Sequence, residues 1–599
     1  GKSPHDPAVD SGREAMRDLL IKSGRIVDGT GRPAYESDLA IDGGRIIAIE
    51  RNLSNRARRV IDANGAIVTP GFVDIHTHYD GQATWDDRLE PSASHGVTTV
   101  IAGNCGVGFA PVRPGGQAEL VELMEGVEDI PGIALYEGIE WSWETFPQYL
   151  DLLEQKRWSM DVGTHVPHGA VRVYVMGERG VQNEASTAED IAQMAAITRD
   201  AIAAGALGFS TSRILGHQSI RGLPVPGTFA GEDEVFAIGE AMAASGTVFE
   251  LVPGGSVGQG GMRLGANEAR LDDELEWMAR LSKKTRLPIT FLIVEFQENP
   301  DAWKHVLAFV AKANADGARL FPQTAARPGG LLLGLQSNHL FQRRPTYLKI
   351  ANLPLAQRVA ALRTPEIRNA ILSEKDLPPL SASINDAIHL VIGQSLEDIF
   401  PLGSPIDYEP PLDTAVAVQA RRDGVDPQAR IYDLMLQDDG RAMLLLPTLN
   451  FARRNQDALF GMLSSEHTVV GLGDGGAHCS LICDASSTTY MLTHWVRDRR
   501  GDRLSLERAI RKQCGDNAAL YGLSDRGTLQ LGKRADVNVI DFDRLSLGQP
   551  YMTNDLPAGG QRFLQNCSGY LATVVNGEVT REHDQDTGAR PGRLIRGRR

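Results

Sequence analysis

Apolar and polar residues alternate in short stretches at both ends of this chain, and longer apolar runs punctuate the middle. Between about Asp18 and Thr69, the stretches Leu19-Leu20-Ile21-Lys22-Ser23-Gly24-Arg25-Ile26-Val27 and Leu39-Ala40-Ile41-Asp42-Gly43-Gly44-Arg45-Ile46-Ile47 are separated by Gly-containing turns. That pattern predicts antiparallel β-structure. It returns near the end, in Asp536-Val-Asn-Val-Ile-Asp541 and Tyr570-Leu-Ala-Thr-Val-Val-Asn-Gly577. The two ends are expected to pair into one small β-sandwich.

The middle reads as strands alternating with helices. Eight apolar runs stand out: the stretch ending in His76, Thr98–Ala102, Asp161–His165, Ala206–Ser212, Thr247–Leu251, Pro288–Val294, Ala318–Phe321 and Thr468–Leu472. One intervening helix is announced by a capping box at Ser186-Thr-Ala-Glu189, carries Ile191, Met194, Ala195 and Ile202 on one stripe, and can end at Gly205. Eight strands separated by helical segments predict an α/β fold, a (β/α)8 barrel of the TIM type, whose sites lie at the C-terminal strand ends. A doubly wound open sheet ranks second, because no Gly-rich phosphate fingerprint follows the first strand. The expected domains are residues 18–69 for the N-terminal part of the sandwich, 70–525 for the barrel, and 526–599 for its C-terminal part and tail. The stretch 330–451 exceeds an ordinary connection and reads as an inserted subdomain or lid.

The chemistry concentrates at the ends of these runs. In Gly71-Phe-Val-Asp-Ile-His76-Thr-His78, strand alternation puts His76 and His78 on one face and Thr77 on the other. Two such imidazoles can share a divalent metal and leave room for water and substrate. Asp474 lies just past the eighth run. Barrel closure makes the first and last strands neighbours, so His76, His78 and Asp474 can converge on one ion, with Asp474 also able to accept a proton from activated water. Cys105, at the end of the second run, offers a thiolate as a further ligand or bridge. His168 is a candidate to polarise a substrate carbonyl; Arg172 and Arg213 are candidates to pair with a substrate carboxylate. His478 is a candidate substrate contact, and His217 and Cys479 lie in the same neighbourhoods.

Composition narrows the partners. Across 599 residues, hydrophobic residues make up 42% and charged residues 23%, ordinary for a soluble globular protein. A net charge of -15 argues against nucleic acid and anionic membrane surfaces. No apolar run is long enough to span a bilayer, and the polar first ten residues carry no secretion core. The five cysteines are scattered and odd in number, which suits a reducing cytoplasm. The expected partner is a small molecule, and the expected assembly a homo-oligomer.

Several motifs together resemble one family. They are Gly71 to Asp80, Asp86, Pro91-Ser-Ala-Ser-His95-Gly-Val-Thr-Thr99, Gly103-Asn-Cys-Gly106, Phe109-Ala-Pro-Val-Arg-Pro114, Gly205-Ala-Leu-Gly-Phe-Ser-Thr-Ser212 and Thr587-Gly-Ala-Arg-Pro-Gly-Arg593. The combination resembles the D-aminoacylase (N-acyl-D-amino-acid deacylase) branch of the amidohydrolase superfamily over almost the whole chain. The resemblance implies a metal-dependent (β/α)8 hydrolase, with His76 and His78 as metal ligands, Cys105 as the metal-bridging cysteine and Asp474 as the catalytic aspartate. It also implies two further metal-binding histidines at the ends of strands five and six. This chain has no histidine between His217 and His305. Either carboxylates replace them, with Glu250 and Glu295 as the candidates, or one metal remains on His76, His78, Asp474 and Cys105. The expected cofactor is therefore zinc, one ion with a second site left open. The expected reaction is attack of metal-activated water on the amide of an N-acyl, D-configured amino acid or a related amide. The alternatives are hydrolysis of a lactone, cyclic imide, carbamate or xenobiotic amide on the same barrel, and a non-catalytic homologue.

Overall fold

A computed structural model describes residues 16–258, 268–381 and 384–597. The polar N-terminal stretch discussed above lies outside the described residues. Eight parallel strands occur side by side in chain order: Phe72–Asp74, Val97–Ala102, Asp161–Pro167, Gly208–Ser212, Val248–Val252, Ile289–Leu292, Leu320–Thr324 and Val469–Val470. Each grew from one of the eight apolar runs, so the barrel expectation is borne out. The strands are apolar on both faces because helices cover one side and the barrel interior the other; every residue of Val97–Ala102 is buried.

The eighth strand is short, and the barrel closes beyond it. Asp474 N–H donates to the His76 carbonyl at 2.9 Å, and His78 N–H donates to the Gly475 carbonyl at 2.8 Å. Thr77 and Gly475 face each other across this parallel bridge. One helix start differs by a residue from its expectation. The helix Ala188–Ala204 is capped by Thr187, whose hydroxyl accepts from Asp190 N–H while the Asp190 carboxylate accepts from Thr187 N–H. Threonine and aspartate three apart close this reciprocal pair where Ser186 and Glu189 were expected. Gly205 ends the helix with a φ of 119°, as expected.

The chain ends do pair. Ile67–Pro70 lies antiparallel to Val537–Ile540, with Val68 opposite Val539, in a nine-stranded sheet that joins five N-terminal strands to four C-terminal ones. Leu19, Ile21, Leu39, Ile41, Val537, Val539 and Val574 form its core. Between strands seven and eight, Leu444–Leu449 is sandwiched between Gly329–Leu333 and Phe400–Pro401 in a three-stranded antiparallel sheet. Helices including Leu355–Leu362, Pro365–Ser373 and Pro427–Met435 pack there around a separate core of Leu333, Phe341, Tyr347, Ile392 and Tyr432. Among the described residues, no helix is long and apolar enough to cross a membrane.

Strand two leaves the barrel through Gly103, where φ is 77° and a Cβ would stand 2.5 Å from the His165 carbonyl oxygen. Gly115 has a similar φ of 82° but open space around it. Gly103→Ala is therefore expected to lower the melting temperature by several degrees more than Gly115→Ala. The second variant bears only the left-handed backbone penalty of about 1–2 kcal/mol. Thermal denaturation followed by circular dichroism compares the two; equal shifts would remove the close approach as a constraint.

Candidate metal centre

Both strand-one imidazoles lie just past Asp74, on backbone held extended by the closure described above. Thr77 turns outward, its N–H and hydroxyl both donating to the Ile101 carbonyl, at 3.0 and 2.9 Å. His76 and His78 therefore face inward together, and both are fully buried. The His76 Nδ1 meets Gln323 Oε1 of strand seven at 2.9 Å. A carbonyl-type oxygen accepts, so Nδ1 carries the proton and Nε2 points its lone pair inward.

Asp474 Oδ1 lies 3.4 Å from Nε2 of both His76 and His78. The Cys105 Sγ is 3.4 Å from His76 Nε2. His478 Nε2 lies 3.6 Å from Asp474 Oδ2. Metal–ligand distances of about 2.0–2.2 Å give tetrahedral ligand–ligand edges of about 3.3–3.6 Å, so Asp474 Oδ1 and the two Nε2 atoms are spaced as ligands of one ion, with the Cys105 thiol in the same cluster as both imidazoles and His478 grouped with Asp474 and Asp484. The nitrogens of His78 also lack any hydrogen-bonding partner despite full burial. The donor set fits a borderline-soft divalent metal such as zinc.

Electrostatics set the two imidazoles apart. Burial pulls the His76 imidazole down to about 4, toward the neutral form a metal requires. Burial also opposes charge on His78, but Glu128 and Asp474 outweigh it and raise that imidazole to about 8. Asp474 is driven up by burial, yet His478 and His78 outweigh this and hold it well below the usual carboxylate range. Cys105, Leu472, Asp474 and His478 all adopt left-handed backbone, with φ of 58°, 58°, 45° and 54°. Non-glycine strain of this kind persists where surrounding structure over-determines it.

Glu128 escaped the sequence reading. It is the last residue of the helix Gln117–Glu128, and its Oε2 lies 3.2 Å from His78 Nε2 and 3.8 Å from His478 Nε2. Nothing in the sequence sets it apart from Glu119, Glu122 and Glu125 on the same helix.

The other expected residues are placed elsewhere or differently. Glu250 is buried beside the thiol, where its Oε2 accepts the Cys105 backbone N–H at 3.1 Å. Burial raises this carboxyl to about 8. Glu295 accepts the Ala452 N–H at 3.0 Å and anchors the returning chain of the insertion. Neither carboxylate belongs to the cluster of His76, His78 and Cys105. His168 and Arg172 do not face the cavity: His168 Nε2 lies 2.7 Å and Arg172 Nε 3.0 Å from Glu234 Oε1. Arg213 is locked on both carboxylate oxygens of Glu274, at 3.0 and 2.8 Å. The correction has one physical cause. Buried arginines and histidines take the nearest carboxylate or carbonyl, and here helices supply it.

A cavity of about 390 Å³ opens over the donors. His76, Cys105, Glu128, Asp474 and His478 form its floor, and Ile214, Leu215, Val252, Leu292, Val294 and Leu449 make its walls apolar. His217 reaches it, held by Ser212 Oγ at 2.8 Å. Among the described residues, Arg327 is the arginine on its wall, bonded to Asp484, Ser486 and the Cys483 carbonyl at 2.9, 2.6 and 2.7 Å.

Comparison with known proteins comes to the same place. The family model described as "Amidohydrolase family" matches residues 59–581. The chain is 25% identical over 585 residues to D-aminoacylase of Alcaligenes xylosoxydans xylosoxydans, covering 96% of this chain and 97% of the relative. It is 26% identical over 589 residues to N-acyl-D-aspartate deacylase of the same organism, covering 97% and 95%. The structure of N-acyl-D-glutamate deacylase from Bordetella bronchiseptica, complexed with zinc and a phosphonate inhibitor, superposes with a TM-score of 0.64 at 22% identity, covering 97% of this chain and 100% of that one. The resemblance read from the motifs is thus borne out.

The buried Glu234 network generates a test. Burial pushes this carboxyl up, but the His168 hydrogen bond and the charge of Arg172 outweigh it and hold it at about 2, below the ordinary 4.5. A depressed carboxylate stabilises the fold fully above its unfolded pKa, and that stability is lost as pH falls from about 4.5 toward 2. Glu234→Ala is expected to destabilise by about 3–5 kcal/mol at neutral pH, because buried His168 loses its hydrogen-bond acceptor and buried Arg172 its counter-charge. Metal content of the folded variant should be unchanged. Denaturant melts and elemental analysis measure both; loss of metal without loss of stability would return His168 to the site.

Proposed function

The chain belongs to the amidohydrolase family, and from that premise we propose that it is a zinc-dependent deacylase hydrolysing the amide bond of N-acyl-D-amino acids. The observation that carries the reading is Asp474 Oδ1, equidistant at 3.4 Å from two inward-facing imidazoles at the C-terminal end of the barrel. The names of the full-length relatives point to the same substrate class. His76, His78, Cys105 and Asp474 would hold the ion. When bound, zinc supplies Lewis acidity toward the substrate carbonyl and lowers the pKa of a water.

The protein's own groups do the rest. Asp474 is ionised at neutral pH and lies at the cavity floor, so it takes the proton of the attacking water and delivers it to the amide nitrogen as the C–N bond breaks. His478 assumes the role first considered for His168. Burial works against its charge, but Asp474 outweighs this and raises it to about 10, which makes it a hydrogen-bond donor toward charge developing on the carbonyl oxygen. The apolar walls exclude water and receive the acyl group or an apolar side chain. Arg327 is already committed to Asp484, which disfavours an acidic substrate side chain. The five thiols are unpaired, consistent with a reducing cytoplasm.

Two outcomes are expected from purified protein supplied with zinc. On a panel of N-acyl-D-amino acids, kcat/KM should rise about fourfold per added acyl methylene until the cavity fills, at about 0.8 kcal/mol per buried CH₂. N-acyl-D-leucine should outrun N-acyl-D-aspartate. Asp474→Asn should abolish turnover with the fold intact by circular dichroism. Activity confined to a neutral lactone or imide would replace the substrate class; a fully active Asn variant would sink the mechanism.

A further inference from the structure

The donor set has a member from outside the barrel strands. We propose that Glu128, delivered by the end of the helix after strand two, is a direct metal ligand in this protein. The inference rests on the metal-dependent reading above and specifies how this chain completes the centre.

Distance gives the first argument. Glu128 Oε2 lies 3.2 Å from His78 Nε2, inside the spacing of the other donor atoms. That contact is not a hydrogen bond, since His78 Nε2 has no hydrogen-bonding partner. Their spacing is close to that of two ligands of one ion. The remaining oxygen of Glu128, Oε1, is buried and also without a partner.

Electrostatics give the second. Glu128 is 2% exposed and is the final residue of a helix of twelve residues, where the partial negative charge of the helix dipole already sits. A carboxylate buried there, beside Asp474, opposes both its own desolvation and its neighbours. Among the described residues no arginine or lysine pairs with it; the cationic groups within 4 Å of its carboxylate are His78 and His478. A divalent cation would neutralise both carboxylates in place of the protons on those imidazoles.

Backbone geometry gives the third. The helix end is clamped to the loop after strand eight. His478 N–H donates to the Glu128 carbonyl at 2.6 Å, and Cys479 N–H to the Asp129 carbonyl at 3.1 Å. The Asp129 carboxylate accepts from Ser480 N–H and Oγ, both at 2.8 Å. These bonds fix the last turn and aim Glu128 at His78. Strands five and six carry no histidine, and their carboxylates Glu250 and Glu295 are engaged on the Cys105 and Ala452 backbone amides. A carboxylate from a helix end thus supplies what those strands do not.

The test reads metal binding rather than turnover. Chelator-treated full-length protein, its Glu128→Gln variant and its Glu250→Gln variant are titrated with Co²⁺, following the visible d–d bands and the thiolate-to-metal charge-transfer band. Glu128→Gln should bind more than about 100-fold more weakly, beyond the 10–100-fold loss typical of an outer-shell change, with altered d–d bands and the Cys105 charge-transfer band retained. Glu250→Gln should keep the wild-type d–d spectrum. Wild-type affinity and spectrum in Glu128→Gln, or the larger loss in Glu250→Gln, would overturn the proposal while leaving the metal-dependent reading intact. A wild-type protein that binds no Co²⁺ or Zn²⁺ would overturn both. Glu128→Asp, which keeps the charge and shortens the reach, covers the case in which Gln does not fold; wild-type binding there overturns the proposal too.

Discussion

The closure between strands one and eight is the constraint on which the rest depends. Val469–Val470 is too short to complete a barrel by itself. The closing hydrogen bonds fall one step later, between Asp474 and His76 and between His78 and Gly475. The residues that seal the barrel are therefore those that carry the imidazoles and the carboxylate. Pairing fixes strand alternation, alternation turns both imidazoles inward, and the same backbone bonds set the height of Asp474 between them. A one-residue slip in register would move the histidines to the other face, so closure in this register assembles the donors. Left-handed backbone at Leu472, Asp474 and His478 follows from the same demand, because the chain must turn sharply to pair and still reach Glu128.

Much of this was legible from residue patterns, and the limits have physical causes. Each barrel strand is a buried apolar run, so hydrophobicity located all eight. The sandwich followed from alternation at both ends, and the closure argument brought His76, His78 and Asp474 together before any coordinates. Glu128 was invisible for the opposite reason. It sits in Glu119-Leu-Val-Glu122-Leu-Met-Glu125-Gly-Val-Glu128-Asp129, where several carboxylates look alike along a helix. Only the clamp to residues 478–480 distinguishes one of them. His168, Arg172 and Arg213 failed because a sequence shows a charged residue but not its partner. Glu234 lies 66 residues from His168, and Glu274 lies 61 from Arg213.

The buried charges divide into two kinds. Arg172 with Glu234, Arg213 with Glu274, and Arg327 with Asp484 are locally neutralised pairs. They stiffen the strand ends, but their guanidinium groups are spent on protein carboxylates. Asp474 and Glu128 are the exception, since imidazoles are their nearest cationic partners. In a low-dielectric interior two carboxylates balanced only by imidazoles, which can give up their protons, favour a metal cation at the pocket floor.

Pocket and centre are built from separable parts of the chain. The donors hang on barrel strands and on one helix end, all fixed by backbone hydrogen bonds. One side of the cavity wall comes from the insertion: Thr448, Leu449 and Asn450, on its returning strand and the turn after it, join the barrel's Ile214, Val252 and Leu292. Asn450 and Ala452 are tied to Glu295 beyond strand six, through Asn450 Oδ1 to its N–H at 2.9 Å and through the Ala452 N–H at 3.0 Å. Glu295 thus anchors the wall to the barrel while touching no donor atom of the centre. Changes within the insertion can reshape the space for an acyl group without disturbing the metal-facing geometry. A carboxylate at the end of strand six serves shape here, in a fold where that end is well placed to serve chemistry.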